Sequence, residues 1–184
     1  MSNAISKFAA VLLAVIVMFI YPAAEASQRQ DDLSRIVVYH AVTQFVDAVR
    51  NKGYITPVMY QQFLEEMQAT GNEFDVQMEH LHKTYHPEYT DAANPGTFQN
   101  AFSIVYEGYY TSDLMNRLFP ETSLPKDDES RVYKLTVGDF FKVTVKNVNR
   151  TPGTIMLDFI TGTLTGETAV IAFPYGGMVL NEDY

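Results

Sequence analysis

The residues best equipped for chemistry lie in Glu79-His80-Leu81-His82, with His86 close behind. On a strand, His80 and His82 point to the same face, because side chains alternate with a period of two. Two adjacent imidazoles could begin a zinc or nickel site, completed by His86 or Glu79. Glu79 would face away from them in a regular strand. The plainer reading is preferred: histidines at a strand end, or a pair hydrogen-bonded to Tyr and carboxylate neighbours. No metal and no cofactor is therefore expected.

Other polar groups give less. His40 falls inside a helical pattern and reads as a core-edge histidine. Asp127-Asp128-Glu129 has oxygen ligands but no EF-hand spacing, and reads as a solvated acidic loop. No Gly-x-Ser-x-Gly or Ser-x-x-Lys nucleophile motif is present, and Gly176-Gly177 lacks the lysine and helix of a phosphate-binding loop. Asn149-Arg150-Thr151 matches the short N-glycosylation pattern.

The elements that would position these groups follow from periodicity. Val38, Val42, Phe45 and Val49 form one buried helical stripe, and Gly53 is placed to end it. Ser27 to Arg35 is polar nearly all round, so this part of the helix should be solvated. Thr56-Pro57 starts a second helix, with Tyr60, Phe63, Leu64 and Met67 on its apolar face, antiparallel to the first. Phe74, Val76 and Met78 alternate with charged and polar residues, which predicts a half-buried strand. His86 to Asn100 reads as a loop, and Phe102 to Tyr110 as a strand. Thr111 or Ser112 caps a short helix through Leu118.

Arg131 to Val137 and Phe140 to Val148 read as strands joined through Gly138-Asp139 as a hairpin. Thr154 to Ile160 fits either a helix turn or a strand. Ala169 to Phe173 is a final strand, followed by Pro174-Tyr175-Gly176-Gly177-Met178-Val179. This ending should cover the sheet, or else present Tyr175, Gly176, Gly177 and Met178 as a partner surface. Helices precede strands, so the fold class is α+β with a mostly antiparallel sheet.

Residues 8–24 carry no charge, and nine of them are Phe, Val, Leu or Ile. Phe8, Leu12, Leu13, Ile16, Phe19 and Ile20 are the core of a membrane-inserting segment. At 0.3–0.6 kcal/mol each, the nine favour insertion by about 3–5 kcal/mol. Ala24-Glu25-Ala26 before Ser27 also satisfies the small-x-small rule of a cleavable signal peptide. Lys7 precedes the apolar run, whereas Glu25, Asp31 and Asp32 follow it, so the bulk of the chain is expected outside the membrane. The domain reading is a cytoplasmic N-terminus at 1–7, a transmembrane helix or signal at 8–26, a stalk helix at 27–52 and an extracytoplasmic domain at 53–184.

Composition narrows the function. The net charge is −9, which argues against nucleic acid as a partner. There is no Cys, so disulfides, lipid-modified cysteine and thiolate metal sites are excluded from this sequence. Apolar residues at 47% are enough for a packed core, and 12 Tyr with 12 Phe point to a surface that touches something.

The short N-terminus, the apolar helix through Phe8 to Tyr21 and the polar Gln28-Arg29-Gln30-Asp31 form one set of matching features. Phe45-Val46-Asp47-Ala48-Val49-Arg50-Asn51-Lys52-Gly53-Tyr54-Ile55-Thr56, Met78-Glu79-His80 and the ending from Pro174 form another. On these features the chain resembles small pilin-like proteins of Gram-positive bacteria, the TadE-like pseudopilin type of tight-adherence (Flp) pilus systems. The resemblance implies a pilin-like fold and a non-enzymatic, membrane-anchored subunit. Its partners would be the lipid bilayer and pilus or secretion components, met through the apolar helix and the head. No Gly precedes Phe8, which departs from processed pilins and fits an unprocessed accessory subunit. The alternatives are a cleaved, secreted binding domain and, third, a metal-dependent extracytoplasmic enzyme using His80, His82 and His86.

Overall fold

The computed structural model describes residues 2–121, 124–162 and 171–184. One helix, α1, runs unbroken over Ser2–Lys52, through Pro22. Its two halves have opposite environments. Phe8, Leu12, Leu13, Ile16 and Phe19 are exposed and Ile20 is half-buried, whereas Val38, Val42, Val46 and Val49 are fully buried. The N-terminal half is long and apolar enough to cross a membrane, as an anchor or a signal sequence would be.

Gly53 ends α1 at φ +75°, a conformation that suits glycine. A Cβ there would also run into the Asn181 carbonyl. The C-terminal tail closes the helix end: Leu180 N–H donates to Arg50 O and Asp183 N–H to Lys52 O, both at 2.8 Å.

Thr56 caps α2 (Pro57–Gln68) as its sequence predicts, accepting from Met59 N–H at 3.2 Å. Phe45 on α1 stacks on Phe63 of α2 at 4.6 Å and meets Phe141 of the sheet edge-on at 6.2 Å. The core thus lies between α1, α2 and one sheet face carrying Val76, Met78, Phe141, Val143 and Val145.

The short strands β1 (Tyr54–Ile55) and β4 (Tyr133–Lys134) pair with each other. The main sheet contains β2 (Phe74–Tyr89), β3 (Phe98–Tyr110), β5 (Phe140–Asn147) and β6 (Ala172–Met178). Its order is β3-β2-β5-β6, with antiparallel neighbours throughout. The class is α+β, as expected, with α3 (Thr111–Leu118), α4 (Pro152–Thr161) and two 3-10 turns at Pro95–Thr97 and Glu129–Arg131 completing the described elements.

Several sequence expectations are corrected. His86 to Asn100 is not one loop: β2 continues to Tyr89 and β3 begins at Phe98, leaving only 90–97 as the connection. Pro87 is accommodated because the register shifts between Pro87 and Tyr89. Gly138-Asp139 is not a hairpin turn, since β4 pairs with β1 and β5 with β2 and β6. Pro174 to Met178 belongs to the last strand rather than following it; β6 is an edge strand and tolerates the missing N–H of Pro174. Residues 169 and 170, read as the start of that strand, lie outside the described residues.

The polar stretch Ser27 to Arg35 is not solvated all round, because Asp31 and Ser34 are buried in line with Val38. The cap of α3 is also different: Asp113 accepts from Tyr110 N–H at 2.9 Å, while the Thr111 hydroxyl bonds to Met78. His40 is exposed on α1 rather than at the core edge.

Candidate functional site

His80 and His82 do share one face of β2, and that face meets the turn before β5. Asp139, fully buried, stands at the centre. Its carboxylate lies 2.8 Å from His80 Nε2 and 2.9 Å from His82 Nδ1. It also accepts backbone N–H groups from Lys83 at 2.9 Å and Thr136 at 2.8 Å. An ionised carboxylate has no proton to give, so His80 Nε2 and His82 Nδ1 carry theirs toward it. His80 Nδ1 is then the acceptor for the Tyr133 hydroxyl, 2.7 Å away. Tyr109 stacks on the His80 ring at 5.6 Å.

The electrostatics follow from burial and these bonds. Burial pushes His80 below the usual imidazole range, and the Asp139 charge only partly opposes it. Burial alone would raise Asp139, but donation from Lys83 N–H, His82, Thr136 N–H and His80 leaves it below the ordinary carboxylate value. Burial, with nearby Tyr109, Asp113 and Asp139, pushes Tyr133 well above the usual phenol range.

The hydroxyl–imidazole–carboxylate line Tyr133–His80–Asp139 has the order of a catalytic triad. The hydroxyl in the nucleophile's place is a half-buried phenol whose pKa is raised by burial and by nearby Tyr109, Asp113 and Asp139, so it rests protonated with its hydrogen bond to His80. The alternative chemistry is metal binding. His80, His82 and Asp139 each offer a donor atom, all within 4.8 Å of one another, and an open cavity of about 550 Å³ borders both imidazoles. A divalent cation would have to displace the two protons that now bridge imidazole and carboxylate.

The third ligand in the set is thus Asp139. Glu79 faces the other way and pairs with Lys142 at 3.4 Å, and His86 is exposed, opposite Ser103. Asp139 and Tyr133 lie more than fifty residues from His80 along the chain. The only local signal for Asp139 was its place after Gly138, which read as turn chemistry.

The same carboxylate fixes the root of an arm. β5 pairs with β2 only up to Leu81, so beyond it β2 and β3 pair with each other alone. On the arm face away from α1, Tyr85 lies opposite Ile104, Lys83 opposite Tyr106 and Pro87 opposite Phe102. Tyr85, Phe102, Ile104 and Tyr106 are all exposed. A two-stranded ribbon with one apolar face in water is marginal by itself and is suited to being covered.

The C-terminal residues have structural contacts. Tyr175 OH donates to Asp47 at 3.2 Å, and Arg50 Nε–H donates to Met178 O at 2.9 Å. Gly177 is buried where a Cβ would stand 2.5 Å from the Arg50 guanidinium, Gly176 is half-buried, and Met178 is exposed. Asn149 of the glycosylation pattern is also engaged, accepting from Glu73 N–H at 2.9 Å and donating to Asn72 at 3.1 Å. Asp128 caps the turn Glu129–Arg131 through Ser130 N–H. No protein-family model, curated protein or solved structure matches this chain.

Proposed function

We propose that this chain is a single-pass, membrane-anchored extracytoplasmic protein. It acts without catalysis, as an accessory subunit of a pilus or secretion-type surface apparatus. One observation carries the reading: the exposed apolar half of α1 and the half that builds the core are one continuous helix. Whatever holds residues 8–24 therefore orients the head. The exposed arm with Tyr85 and Phe102 supplies a second contact surface, at the opposite end of β2 from Phe74. Lys7 before the span and the acidic residues after it set the N-terminus inside and the head outside.

A photo-crosslinking residue at Leu13 or Ile16 tests the reading in membranes of a native-type host. Discrete protein adducts are expected; adducts to lipid alone would remove the assembly role. A cleaved, secreted binding domain is the second reading, favoured by one observation. The buried residues of α1 begin at Asp31, so cleavage after Ala26 would leave the core intact.

A further inference from the structure

The polarity of α4 is inverted. Thr154 and Asp158 are its buried residues, whereas Ile155, Leu157, Phe159 and Ile160 are exposed, Phe159 to 69%. A helix on a water-facing surface is expected to do the opposite. Polar side chains turned toward protein and apolar ones turned outward is the arrangement a helix adopts against lipid.

The position of α4 agrees with its polarity. Thr151, its N-cap, donates to Asp31 of α1 at 2.6 Å, and Asp158 pairs with Arg150 on the inner side. Gly153 lies so close to α1 that a Cβ would collide with the Asp31 carboxylate, and it would be 3.6 Å from Ser27 O. The start of α4 is thus fixed against α1 within a turn or two of Ala24, where the uncharged run ends. The half-buried stripe of α1 continues from Ser27 back through Ala24 to Ile20.

We propose that α4 is a membrane-surface helix whose outward side, Ile155, Leu157, Phe159 and Ile160, inserts into the lipid bilayer beside the outer end of the α1 span. This rests on the anchored reading above. It adds a second lipid contact, which fixes the tilt and rotation of α1 in the bilayer and so of the head that the continuous helix carries.

The sequence contains no Trp, so one introduced indole reports alone. Phe159→Trp, Phe19→Trp and Phe102→Trp would each be made in the full chain and reconstituted into phosphatidylcholine vesicles. Their quenching by lipids spin-labelled at shallow and deep acyl positions would be compared. A helix buried 5–10 Å into the interface should lose roughly half or more of its Phe159→Trp fluorescence to the shallow label. Phe19→Trp should respond to the deep label, and Phe102→Trp on the arm to neither.

Quenching at 19 without quenching at 159 overturns the α4 proposal and leaves the anchor standing. No quenching at 19 overturns both. Ile160→Trp, at a second exposed position, repeats the test if Phe159→Trp does not fold. Blue-shifted but unquenched indoles at both 159 and 160 would mean that a second protein copy covers α4, and would also overturn the proposal.

Discussion

His80 Nε2 and the Asp139 carboxylate meet at 2.8 Å although 59 residues separate them, and solvent reaches almost nothing of either side chain. The contact joins β2 to the turn before β5 at the point where the β2–β3 arm leaves the sheet. Asp139 there accepts from two imidazoles and two backbone N–H groups. The network is complete as a hydrogen-bonded unit, which argues for a structural fastening.

Removing the carboxylate strands those donors in a buried place. Asp139→Ala should destabilise the head by about 3 kcal/mol or more. Asp139→Asn, which keeps one acceptor oxygen, should cost less. Denaturant unfolding of the detergent-solubilised chain measures both; equal, near-zero effects would show that the network does not hold the arm.

The fastening should also make stability depend on pH. His80 has a folded value below that of the unfolded chain, so the unfolded state binds its proton first as pH falls. Stability should decline as pH drops below about 6.5, the unperturbed imidazole value. Asp139 is also lowered, and its contribution is lost only under stronger acid, as pH falls from about 3.9 through its folded value. A melting series from pH 8 to 5 should show this decline, reduced in His80→Phe; a flat series in the wild-type chain would contradict the assignment of His80.

Metal should not be needed for folding. Exhaustive chelation is expected to leave the unfolding midpoint unchanged. A chelator-induced drop, absent in Asp139→Ala, would convert the fastening into a metal centre and revive the enzymatic reading.

Two glycines separate backbone strain from collision. Gly53 and Gly71 have nearly the same φ, +75° and +76°, but a Cβ at Gly71 meets nothing within 4 Å, whereas one at Gly53 meets the backbone of Asn181. Gly71→Ala should cost about 1–2 kcal/mol from the left-handed conformation alone. Gly53→Ala should add roughly 1–3 kcal/mol of overpacking. Equal costs would mean that the C-terminal tail does not hold the end of α1.

The arm is expected to serve contact rather than stability. Tyr85→Ser with Phe102→Ser removes two exposed side chains, and each change should alter head stability by no more than about 0.5 kcal/mol. Loss of the protein crosslinks made from a photo-crosslinking residue at Ile104 on the arm, with unfolding unchanged, is the expected result. Retained crosslinks would move the assembly surface elsewhere.

Local patterns carried much of the architecture. The stripe from Val38 to Val49, the Thr56-Pro57 start and the alternation from Phe74 to Met78 each express one period or one capping rule, and each sits where those rules put it. The shared face of His80 and His82 was legible for the same reason. Asp139 and Tyr133 were not, because their partnership with His80 arises from the packing of distant strands.

The β2–β3 arm was hidden by Pro87 and Asn94-Pro95-Gly96, which read as loop residues. A register shift accommodates the first, and a tight turn between paired strands contains the others. Asp31 and Ser34 looked solvated because the bonds that satisfy them are not visible in a polar stretch: buried Thr151, which donates to Asp31, lies more than a hundred residues away, and Ser34 donates to the Gln30 carbonyl of its own helix.

Intact mass and N-terminal sequence of the protein from membrane and medium fractions of a native-type host decide whether the apolar half of α1 stays attached and in the membrane. Membrane-bound protein that retains Phe8 to Ala26 is the expected result. A chain beginning at Ser27 in the medium would contradict it.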